Sequence, residues 1–365
     1  MITYLKNKKN IDNPIIGMKY IHGLSVRGLY PGDERLKKDK DEPVYTQRTS
    51  FLYYSRQNVG NAMIWNTLFM GVIGNLKEII SDKKISLERW QESDPVKFKT
   101  LQKYLPKYWS NDDNIDLDED SIYVFKPATG ADGNGILFQK GSQIMEHVSD
   151  KYDQSWVIQE FVNPYLYNER KSNFRIISFV LVRLDGTREF YLYRQMKMLT
   201  APRVFEESLL FDEEFMKSEE ATNMLITNLR LSRDLFNKDV LNKNKKFDQW
   251  SVVVDVEESL GKPIYEDFFR KALHVHSTIY DLIGDKFTCI PTEISVEDSC
   301  FHVLASDFAF DRYHNPFFLE MNAAMGIKGL WKPEEVNEFS EGISYIIDNK
   351  DSPYDGRFTN KWVQM

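Results

Sequence analysis

Two carboxylates and an amide near the C-terminal end of the sequence have the types and spacing of a divalent-cation site. Glu320 and Asn322 are two residues apart in the apolar segment Phe317–Asn322, so their side chains share one face of a predicted strand. Asp307 lies in the preceding apolar segment, from which its side chain can reach the same face. Because magnesium prefers a few oxygen donors and keeps waters and phosphates, the pattern predicts a magnesium site. An acidic residue on a solvent-facing strand edge is the alternative.

A lysine and a glycine-rich segment follow a predicted strand in the middle of the chain. Lys126 stands near the end of the strand Ser121–Pro127, and Gly130, Gly133 and Gly135 come next. Backbone N–H groups of such a loop can close on phosphate oxygens, while the ammonium adds a positive charge. The spacing matches neither a P-loop nor a dinucleotide-binding fingerprint, so a glycine-rich hairpin with a surface lysine is the alternative.

Two arginines lie on the strands of a predicted hairpin. Its apolar and aromatic runs flank the turn Asp185–Gly186, with Arg175 at the start of the first strand and Arg194 at the end of the second. Guanidinium groups on neighbouring strands can bind anionic groups bidentately. A salt bridge to one of the 55 acidic residues of the chain is the alternative.

A predicted strand from Ser155 to Val162 passes directly into Asn163-Pro164. The backbone of an extended segment that ends in polar groups can offer hydrogen bonds to the edge of an adenine. Any buried strand has the same pattern, so this segment by itself predicts no ligand.

The elements that must position these residues are short strands and one long helix. The strands outside the hairpin are predicted at Ser121–Pro127, Gly135–Lys140, Trp156–Val162, Phe301–Asp311 and Pro316–Asn322. The segment Pro263–Ile283 predicts an amphipathic helix, whose apolar stripe is Ile264, Phe268, Ala272, Val275, Ile279 and Leu282. Because hairpins and helices are interleaved, the predicted class is α+β and not a simple doubly wound sheet.

Two further segments have clear patterns. Apolar residues from Thr49 to Ile80 fall mostly at helical spacing, which predicts a helix. The acidic run Asn111–Asp120 is the clearest linker in the chain and is predicted to be a solvated surface loop.

Composition limits the class of protein. The chain has 365 residues, and 42% of them are hydrophobic, which predicts two or three domains with sizeable cores and excludes a disordered chain. A formal net charge of −8 argues against a nucleic acid or a membrane surface as partner. No signal peptide or membrane-spanning run is recognisable, so a soluble cytoplasmic protein is expected.

Cysteine and histidine give no metal motif. Cys289 and Cys300 predict reduced, mostly buried thiols, since two cysteines build no disulfide framework and no zinc spacing accompanies them. His274 and His276 are two residues apart on the predicted helix, where their side chains point apart. They are predicted to be surface or half-buried histidines.

In this order, the segments resemble the tubulin–tyrosine ligase-like family of ATP-grasp ligases. The resemblance covers roughly Ser121 to Gly329 and is carried by IYVFKPATGADGNGI, WVIQEFVNPYLY, KSNFRIISFVLV, EFYLYRQ, MLITN, FHVLASDFAFD and FFLEMN. It implies an ATP-grasp fold, in which two α+β subdomains clamp ATP beside an N-terminal lobe. The expected domains are an N-terminal lobe (1–95), a central subdomain (96–158) and a C-terminal subdomain carrying the metal site (159–365).

The resemblance also implies a role for individual residues. Arg175 and Arg194 match catalytic arginines that face the γ-phosphate and the reacting carboxylate. The implied magnesium ligands are Asp307, Glu320 and Asn322. The implied ATP-binding residues are Lys126, Gly133, Gly135, Ile136, Gln159, Glu160, Phe161, Val162, Lys171, Asn173, Thr227 and Asn228.

The sequence departs from the family pattern at a few positions. Asp132 stands where the family usually has an arginine, and Asn173 replaces an aspartate. Leu225-Ile226 stands in place of His-Leu, and Met325 replaces a proline. The metal ligands and both arginines match, so the departures bear on the acceptor more than on the chemistry.

The activity implied by the resemblance is ATP- and Mg²⁺-dependent joining of a free amino acid to a carboxylate of a protein or peptide, through an acyl-phosphate. Tubulin is one possible acceptor. Two alternatives stay open: a ligase that makes a small peptide metabolite, and a nucleotide-binding pseudoenzyme that acts as an interaction module. Kinase and P-loop chemistry are excluded because their glycine fingerprints and catalytic loops are absent from the sequence.

Overall fold

A computed structural model describes the larger part of the chain. The described residues are 52–53, 63–64, 79–80, 83–111, 113–128, 135–149, 155–183, 185–227, 253–287, 299–322, 335, 338, 342, 346 and 361–365. Several residues of the sequence interpretation lie outside them, namely Gly130, Asp132, Gly133, Asn228, Cys289 and Met325.

The first described elements are two short strands and two helices. Strands β1 (Leu52–Tyr53) and β2 (Met63–Ile64) pair antiparallel, so the helix predicted from Thr49 to Ile80 is wrong at these positions. Short apolar runs fit either element, and here cross-strand pairing decides. Helices α1 (Lys83–Ser93) and α2 (Pro95–Leu101) follow.

Helix α2 begins where its capping residue predicts. The side chain of Asp94 accepts hydrogen bonds from the N–H groups of Val96 and Lys97, and a proline occupies the first helical position. Phe98 and Leu101 are buried against the main hydrophobic core, which holds the helix on the rest of the molecule.

A four-stranded antiparallel sheet carries the predicted phosphate-binding lysine. Its strands, in spatial order, are β3 (Tyr108–Ser110), β6 (Trp156–Glu160), β4 (Ile122–Pro127) and β5 (Leu137–Lys140). Helix α3 (Gly141–Ser149) packs on it through Ile144 and Val148. The acidic run connects β3 to β4 within this sheet, and its described residues are mostly exposed, as expected for a surface loop.

A larger, seven-stranded sheet carries the predicted arginines and metal ligands. The predicted hairpin is confirmed as β8 (Arg170–Arg183) and β9 (Arg188–Thr200), which pair antiparallel around Asp185 and Gly186. The remaining strands of this sheet are β7 (Leu166–Tyr167), β10 (Val253–Asp255), β11 (Ser299–Phe310), β12 (Pro316–Asn322) and β13 (Trp362–Gln364). The main spatial order is β10-β9-β8-β11-β12, and β7 and β13 pair with β8 and β9 respectively.

Short helices connect the hairpin to the rest of the sheet, and one long helix covers it. The connecting helices are α4 (Glu213–Met216), α5 (Glu219–Leu225) and α6 (Val256–Leu260). The predicted amphipathic helix is confirmed as α7 (Lys262–Ile283), and its stripe is buried except for the partly buried Ile264. Stacking of Phe268 on Phe310, with ring centroids 4.1 Å apart, joins the helix to β11. The predicted α+β class is confirmed.

One histidine of α7 is not where it was predicted. His276 is fully buried, and its ring is satisfied there: Nδ1 hydrogen-bonds the carbonyl oxygen of Ala272 at 2.8 Å, and Nε2 hydrogen-bonds the hydroxyl of Ser306 at 2.9 Å. Burial lowers the pKa of His276 to about 4, so the ring is neutral at pH 7.

No described helix is both long and apolar enough to cross a bilayer.

Candidate functional site

Five charged residues occupy directly opposed positions on five neighbouring strands of the large sheet. The register pairs Asp255 with Lys197, Lys197 with Arg175, Arg175 with Asp307, and Asp307 with Glu320. Directly opposed residues of an antiparallel pair project from the same face. We call this set the charge row. It reads acidic, basic, basic, acidic, acidic across the sheet.

The charge row lies on the face that α7 does not cover. Ser306 hydrogen-bonds His276 of α7, so Ser306 points toward the helix. Its neighbour Asp307 points to the opposite face, because successive side chains of a strand alternate. The sheet therefore has an apolar, helix-covered face and a charged face.

Arg175 and Asp307 form the centre of the charge row. The Nε and Nη2 atoms of Arg175 donate to the two carboxylate oxygens of Asp307 at 2.7 Å and 2.6 Å, a bidentate ion pair. Burial acts to lower the pKa of Arg175, but attraction to Asp307 outweighs it and raises that pKa. Burial also raises the pKa of Asp307, although the charge of Arg175 opposes this. The charge of Arg175 therefore offsets only part of the cost of burying the Asp307 carboxylate.

The predicted metal ligands converge at one end of the charge row. The amide Nδ2 of Asn322 lies 3.4 Å from Oδ2 of Asp307 and 3.3 Å from Oε1 of Glu320. Lys83 of α1 approaches Glu320, with Nζ 3.5 Å from Oε2. Burial acts to raise the pKa of Glu320, but nearby cations, Lys83 foremost, outweigh it and lower that pKa.

The donor set at this end fits a small hard cation. The carboxylates of Asp307 and Glu320 lie beside the Asn322 amide, which turns its nitrogen toward them and would have to flip to offer its oxygen to a cation. The positive groups of Arg175 and Lys83 already lie against the carboxylates. In the part of the chain that the structure describes, no group of three or more His, Cys, Asp or Glu is placed to hold a metal ion. A cation here would therefore depend on Asn322 as third protein ligand.

Two lysines of the site region have lowered pKa values: the half-buried Lys126, on the small sheet, and the buried Lys171, on the same strand as Arg175. Lys126 of β4 donates to the amide oxygen of Gln159 on β6 at 2.5 Å, and Lys171 of β8 donates to that of Asn173 at 3.4 Å. Burial lowers the pKa of Lys126 to about 8, and the positive charge of Lys83 adds to this. Burial and the charge of Lys126 lower the pKa of Lys171 to about 7.

The carboxylates of the charge row act on Lys126 across the gap between the sheets. Gln159, the hydrogen-bond partner of Lys126, lines one pocket with Glu320 and Asn322, and the charges of Glu320 and Asp307 both oppose the lowering of the Lys126 pKa. The backbone N–H of Lys83 also donates to the carbonyl of Ala128 at 3.3 Å. The site therefore lies between the small sheet, the large sheet and the start of α1.

The strand end predicted to hold adenine is partly engaged within the protein. The N–H of Glu160 donates to the carbonyl of Lys107 at 2.8 Å, and that of Phe161 donates to Ile122 at 3.1 Å. The Phe161 ring stacks on Phe205, with centroids 6.2 Å apart. A ligand at this segment therefore has an aromatic neighbour, and those two N–H groups already have carbonyl partners.

The glycine that precedes β5 is required by its backbone. Gly135 has a φ of +74°, and a Cβ there would lie 2.8 Å from Cγ of Pro127. Ile136 follows it and is half-buried, as is Val162 after β6, while Thr227 is buried after α5. These residues border the described part of the site, but none of them contacts the charge row through a described hydrogen bond.

Comparison with known proteins identifies the family to which the chain belongs. The sequence profile of the Tubulin-tyrosine ligase family matches residues 68–324. The chain belongs to the tubulin-tyrosine ligase family. It is similar to a probable beta-tubulin polyglutamylase of Tetrahymena thermophila, with 22% identity over 238 residues, which are 62% of this chain and 19% of that relative. It is also similar to the probable tubulin polyglutamylase ttll-9 of Caenorhabditis elegans, with 28% identity over 223 residues, 56% of this chain and 46% of that relative.

The match leaves much of each relative uncovered. This chain spans under half the length of the two curated relatives it matches here. The profile match begins at residue 68, before α1, and so includes Lys83 of the site as well as the two sheets.

One residue predicted from the tubulin-tyrosine ligase family resemblance lies away from the charge row. Arg194 of β9 contacts α7, with Nη1 3.8 Å from Oε1 of Glu266 and its guanidinium carbon 5.5 Å from the centre of the Phe269 ring. Its side chain is 40% exposed. The structure thus brings Arg175, Asp307, Glu320 and Asn322 together and leaves Arg194 on the helix-covered side.

Two cations of the site were not found by sequence reasoning. Lys83 lies in a polar stretch that has no recognisable pattern, and only its contact with Glu320 marks it. Lys197 is three residues after Arg194, so regular alternation would place the two on opposite faces, which was a usable signal. Whether Arg194 or Lys197 shares a face with Arg175 depends on the register between β8 and β9, which the sequence alone does not give.

Proposed function

We propose that the protein is an ATP- and Mg²⁺-dependent ligase that joins a free amino acid to a carboxylate of a protein or peptide. The observation that carries the proposal is the partly buried group of Arg175, Asp307, Glu320 and Asn322, with Lys126 nearby. It combines cations suited to phosphate with oxygen ligands suited to magnesium, as phosphoryl transfer requires. Membership of the tubulin-tyrosine ligase family supports a ligase.

The reaction proceeds in two balanced steps. In the first, an oxygen of the acceptor carboxylate attacks the γ-phosphorus of ATP, the bond to the β–γ bridging oxygen breaks, and ADP leaves with its electron pair. In the second, the amine of the amino acid attacks the acyl carbon, inorganic phosphate leaves, and the amine loses a proton to solvent or to the phosphate. The products are an amide or isopeptide, ADP and phosphate.

The chain contributes position and charge to these steps. Lys126 and Lys171 bind the phosphates as ammonium ions, and Arg175 orients the anion that reacts above the sheet. Asp307, Glu320 and Asn322 would hold the magnesium ion, which when bound neutralises charge on the phosphates. Partial burial limits the contact of these side chains with water, since Arg175 is 18% exposed, Asp307 15% and Glu320 33%.

The proposed fold assignment is ATP-grasp, with the small sheet and the large sheet as the two clamping subdomains. The division into residues 1–95, 96–158 and 159–365 stays a prediction, and strand β6 runs across its second boundary. Placement of Lys126 on one sheet and Asp307 on the other supports a nucleotide between them.

The proposed acceptor is a protein or peptide, with tubulin as one candidate. The names of the two relatives, both probable tubulin polyglutamylases, support this choice. The net charge of −8 works against an acidic acceptor tail unless a basic groove receives it.

One observation favours a second candidate, a nucleotide-binding pseudoenzyme. The carboxylates of Asp307 and Glu320 lie against Arg175 and Lys83, so a magnesium ion must compete with or rearrange those cations. A protein that keeps these contacts when ATP binds would have no catalytic metal.

Thermal unfolding with Mg-ATP, followed by an ADP-release screen over the twenty amino acids, tests the proposal. We expect Mg-ATP at 100 times its dissociation constant to stabilise the folded state by about 2.7 kcal/mol. We expect ADP release only when one amino acid and an acceptor peptide are both present. Stabilisation without ADP release for any combination would favour the pseudoenzyme, and the absence of both would exclude nucleotide chemistry.

The affinity for ATP should fall as the pH rises from 7 to 9. The folded pKa values of Lys171 and Lys126, about 7 and about 8, lie below that of free lysine, so both side chains lose their protons across this range. Bound phosphate needs the ammonium forms, and we expect the affinity to fall by about 10-fold or more. Isothermal titration at several pH values measures this, with Lys171→Met as the variant whose pH dependence should be weaker. A flat profile in the wild type would contradict the assignment of both lysines.

A further inference from the structure

We propose that Lys197 and Arg175 together form the anion-binding centre of the site, so that the second cation facing the reacting anion is Lys197 and not Arg194. The inference deepens the proposed function and rests on it for the identity of the anion, a carboxylate or a phosphoryl group. It follows from strand register, side-chain contacts and the order of charges across the sheet.

An irregularity in the hairpin brings Lys197 into the charge row. Strand β8 pairs Ser178 with Leu192 and Ile176 with Met196, so two steps along β8 correspond to four along β9. If the register of Ser178 continued unchanged, Gln195 would face Arg175. The two additional residues in β9 shift the pairing, and Lys197 faces Arg175 instead.

Two cations in directly opposed positions need an anion or a separate counter-charge. Like charges that face each other across strands destabilise a sheet. Arg175 is held by Asp307 on the one side of the pair, and Lys197 is held on the other side by Asp255. The order acidic, basic, basic, acidic leaves the space between the two cations as the most favourable place for an added anion.

Lys197 is buried, and contacts with neighbouring side chains hold its ammonium group in place. Its side chain is 5% exposed, and Nζ lies 2.7 Å from Oε1 of Glu335 and 3.4 Å from Oδ2 of Asp255. The amide Nε2 of Gln195 donates to the same two carboxylates, at 2.5 Å to Glu335 and 3.0 Å to Asp255. These contacts restrict the rotamer of Lys197, so little side-chain entropy remains to be lost when an anion binds.

Arg194 has the opposite set of properties. It lies in the irregular stretch between the two registers of β9, and its contacts with Glu266 and Phe269 belong to α7. The hydroxyl of Tyr265, also on α7, donates to the carbonyl oxygen of Arg194. To reach Arg175 the side chain would have to pass from the helix-covered face to the charged face.

Binding of inorganic tripolyphosphate, measured by isothermal titration without magnesium, tests the proposal without needing the true substrates. The first variant is Lys197→Met with Glu335→Gln, which removes one charge of each sign and keeps the buried charge balance. The matched control is Arg183→Met with Glu189→Gln, which removes another buried ion pair of the same hairpin. We expect the affinity to fall about 10-fold or more in the first variant and to stay within about 2-fold in the control.

Two single substitutions of Lys197 and one of Arg194 complete the comparison. Lys197→Gln keeps a hydrogen-bond donor for Asp255 and Glu335 and serves if the double variant does not fold. Lys197→Arg keeps the charge and should retain most of the affinity. Arg194→Met should lose less affinity than Lys197→Gln. An unchanged affinity in both Lys197 variants that remove the charge, or an equal loss in Arg194→Met, would overturn the proposal.

ADP release separates the failure of this inference from the failure of the proposed function. If the wild type releases ADP with an amino acid and an acceptor, and Lys197→Gln does so equally fast, the ligase stands and the Lys197 assignment is wrong. If tripolyphosphate binding depends on Lys197 while no ADP is ever released, the anion centre stands and the ligase assignment is wrong.

Discussion

Glu320→Gln should fold normally and should lose ADP release by about 100-fold or more. The substitution keeps the size of the side chain and its contact with Asn322, but it removes one of the two carboxylates at the metal end of the charge row. A divalent ion that stabilises charge in the transition state contributes several kcal/mol, and each 1.36 kcal/mol changes a rate about 10-fold. The measurement is the rate of ADP release at saturating Mg-ATP, with the folded fraction checked by thermal unfolding.

The control for this experiment is Glu189→Gln. Glu189 is 13% exposed, less than the 33% of Glu320, and it is paired with Arg183 in the same sheet, at the far end of the hairpin. It should lose stability and keep its rate per folded molecule. A Glu320→Gln protein that turned over at the wild-type rate would end the assignment of Glu320 as a metal ligand.

Arg175→Lys should abolish ADP release and also destabilise the protein. Lysine keeps the charge but cannot donate the two parallel hydrogen bonds that Arg175 gives to Asp307. Asp307 would then be buried with incomplete pairing, which we expect to lower the free energy of unfolding by about 1–3 kcal/mol. Urea unfolding measures the stability change, and the single-turnover rate of ADP formation measures the chemical effect.

Arg183→Lys separates the two effects of the arginine substitution. Arg183 also forms a buried ion pair on β8, so its loss should destabilise the sheet to a similar degree without touching the site. Equal stability losses with a rate loss only in Arg175→Lys would support a role in orienting the reacting anion. An Arg175→Lys protein that was destabilised and yet fully active would reduce Arg175 to a structural partner of Asp307.

Much of the fold could be read from local pattern. In the hairpin, in the strands that hold Lys126 and Glu320, and in the long helix, the spacing of apolar residues in the sequence matches the spacing of buried residues in the structure. The failures were also local. Apolar residues near Met63 fit a helix as well as a strand. His276 is fully buried instead of at the surface or half-buried, because no sequence signal reveals that Ser306 and Ala272 satisfy its ring.

The sequence by itself determined which residue types are available to the site. The spacing of Glu320 and Asn322 placed both on one face of a strand, and Asp307 had to lie on a neighbouring strand to join them. Family resemblance marked Arg175 and Lys126 through their surrounding segments. These conclusions hold whatever the detailed pairing of the strands, since they depend on alternation within a strand.

Only the tertiary structure decided which charges face each other. One irregularity puts Lys197 opposite Arg175, and a second, in β12, puts Glu320 and not Leu319 opposite Asp307. Each of these two irregularities depends on where a strand accommodates its extra residues relative to its partner. Packing of the whole sheet on α7, and not the local strand propensity of those residues, sets these positions. A shift of one residue in either pairing would turn a site side chain to the wrong face, so the charge row exists only in the folded sheet.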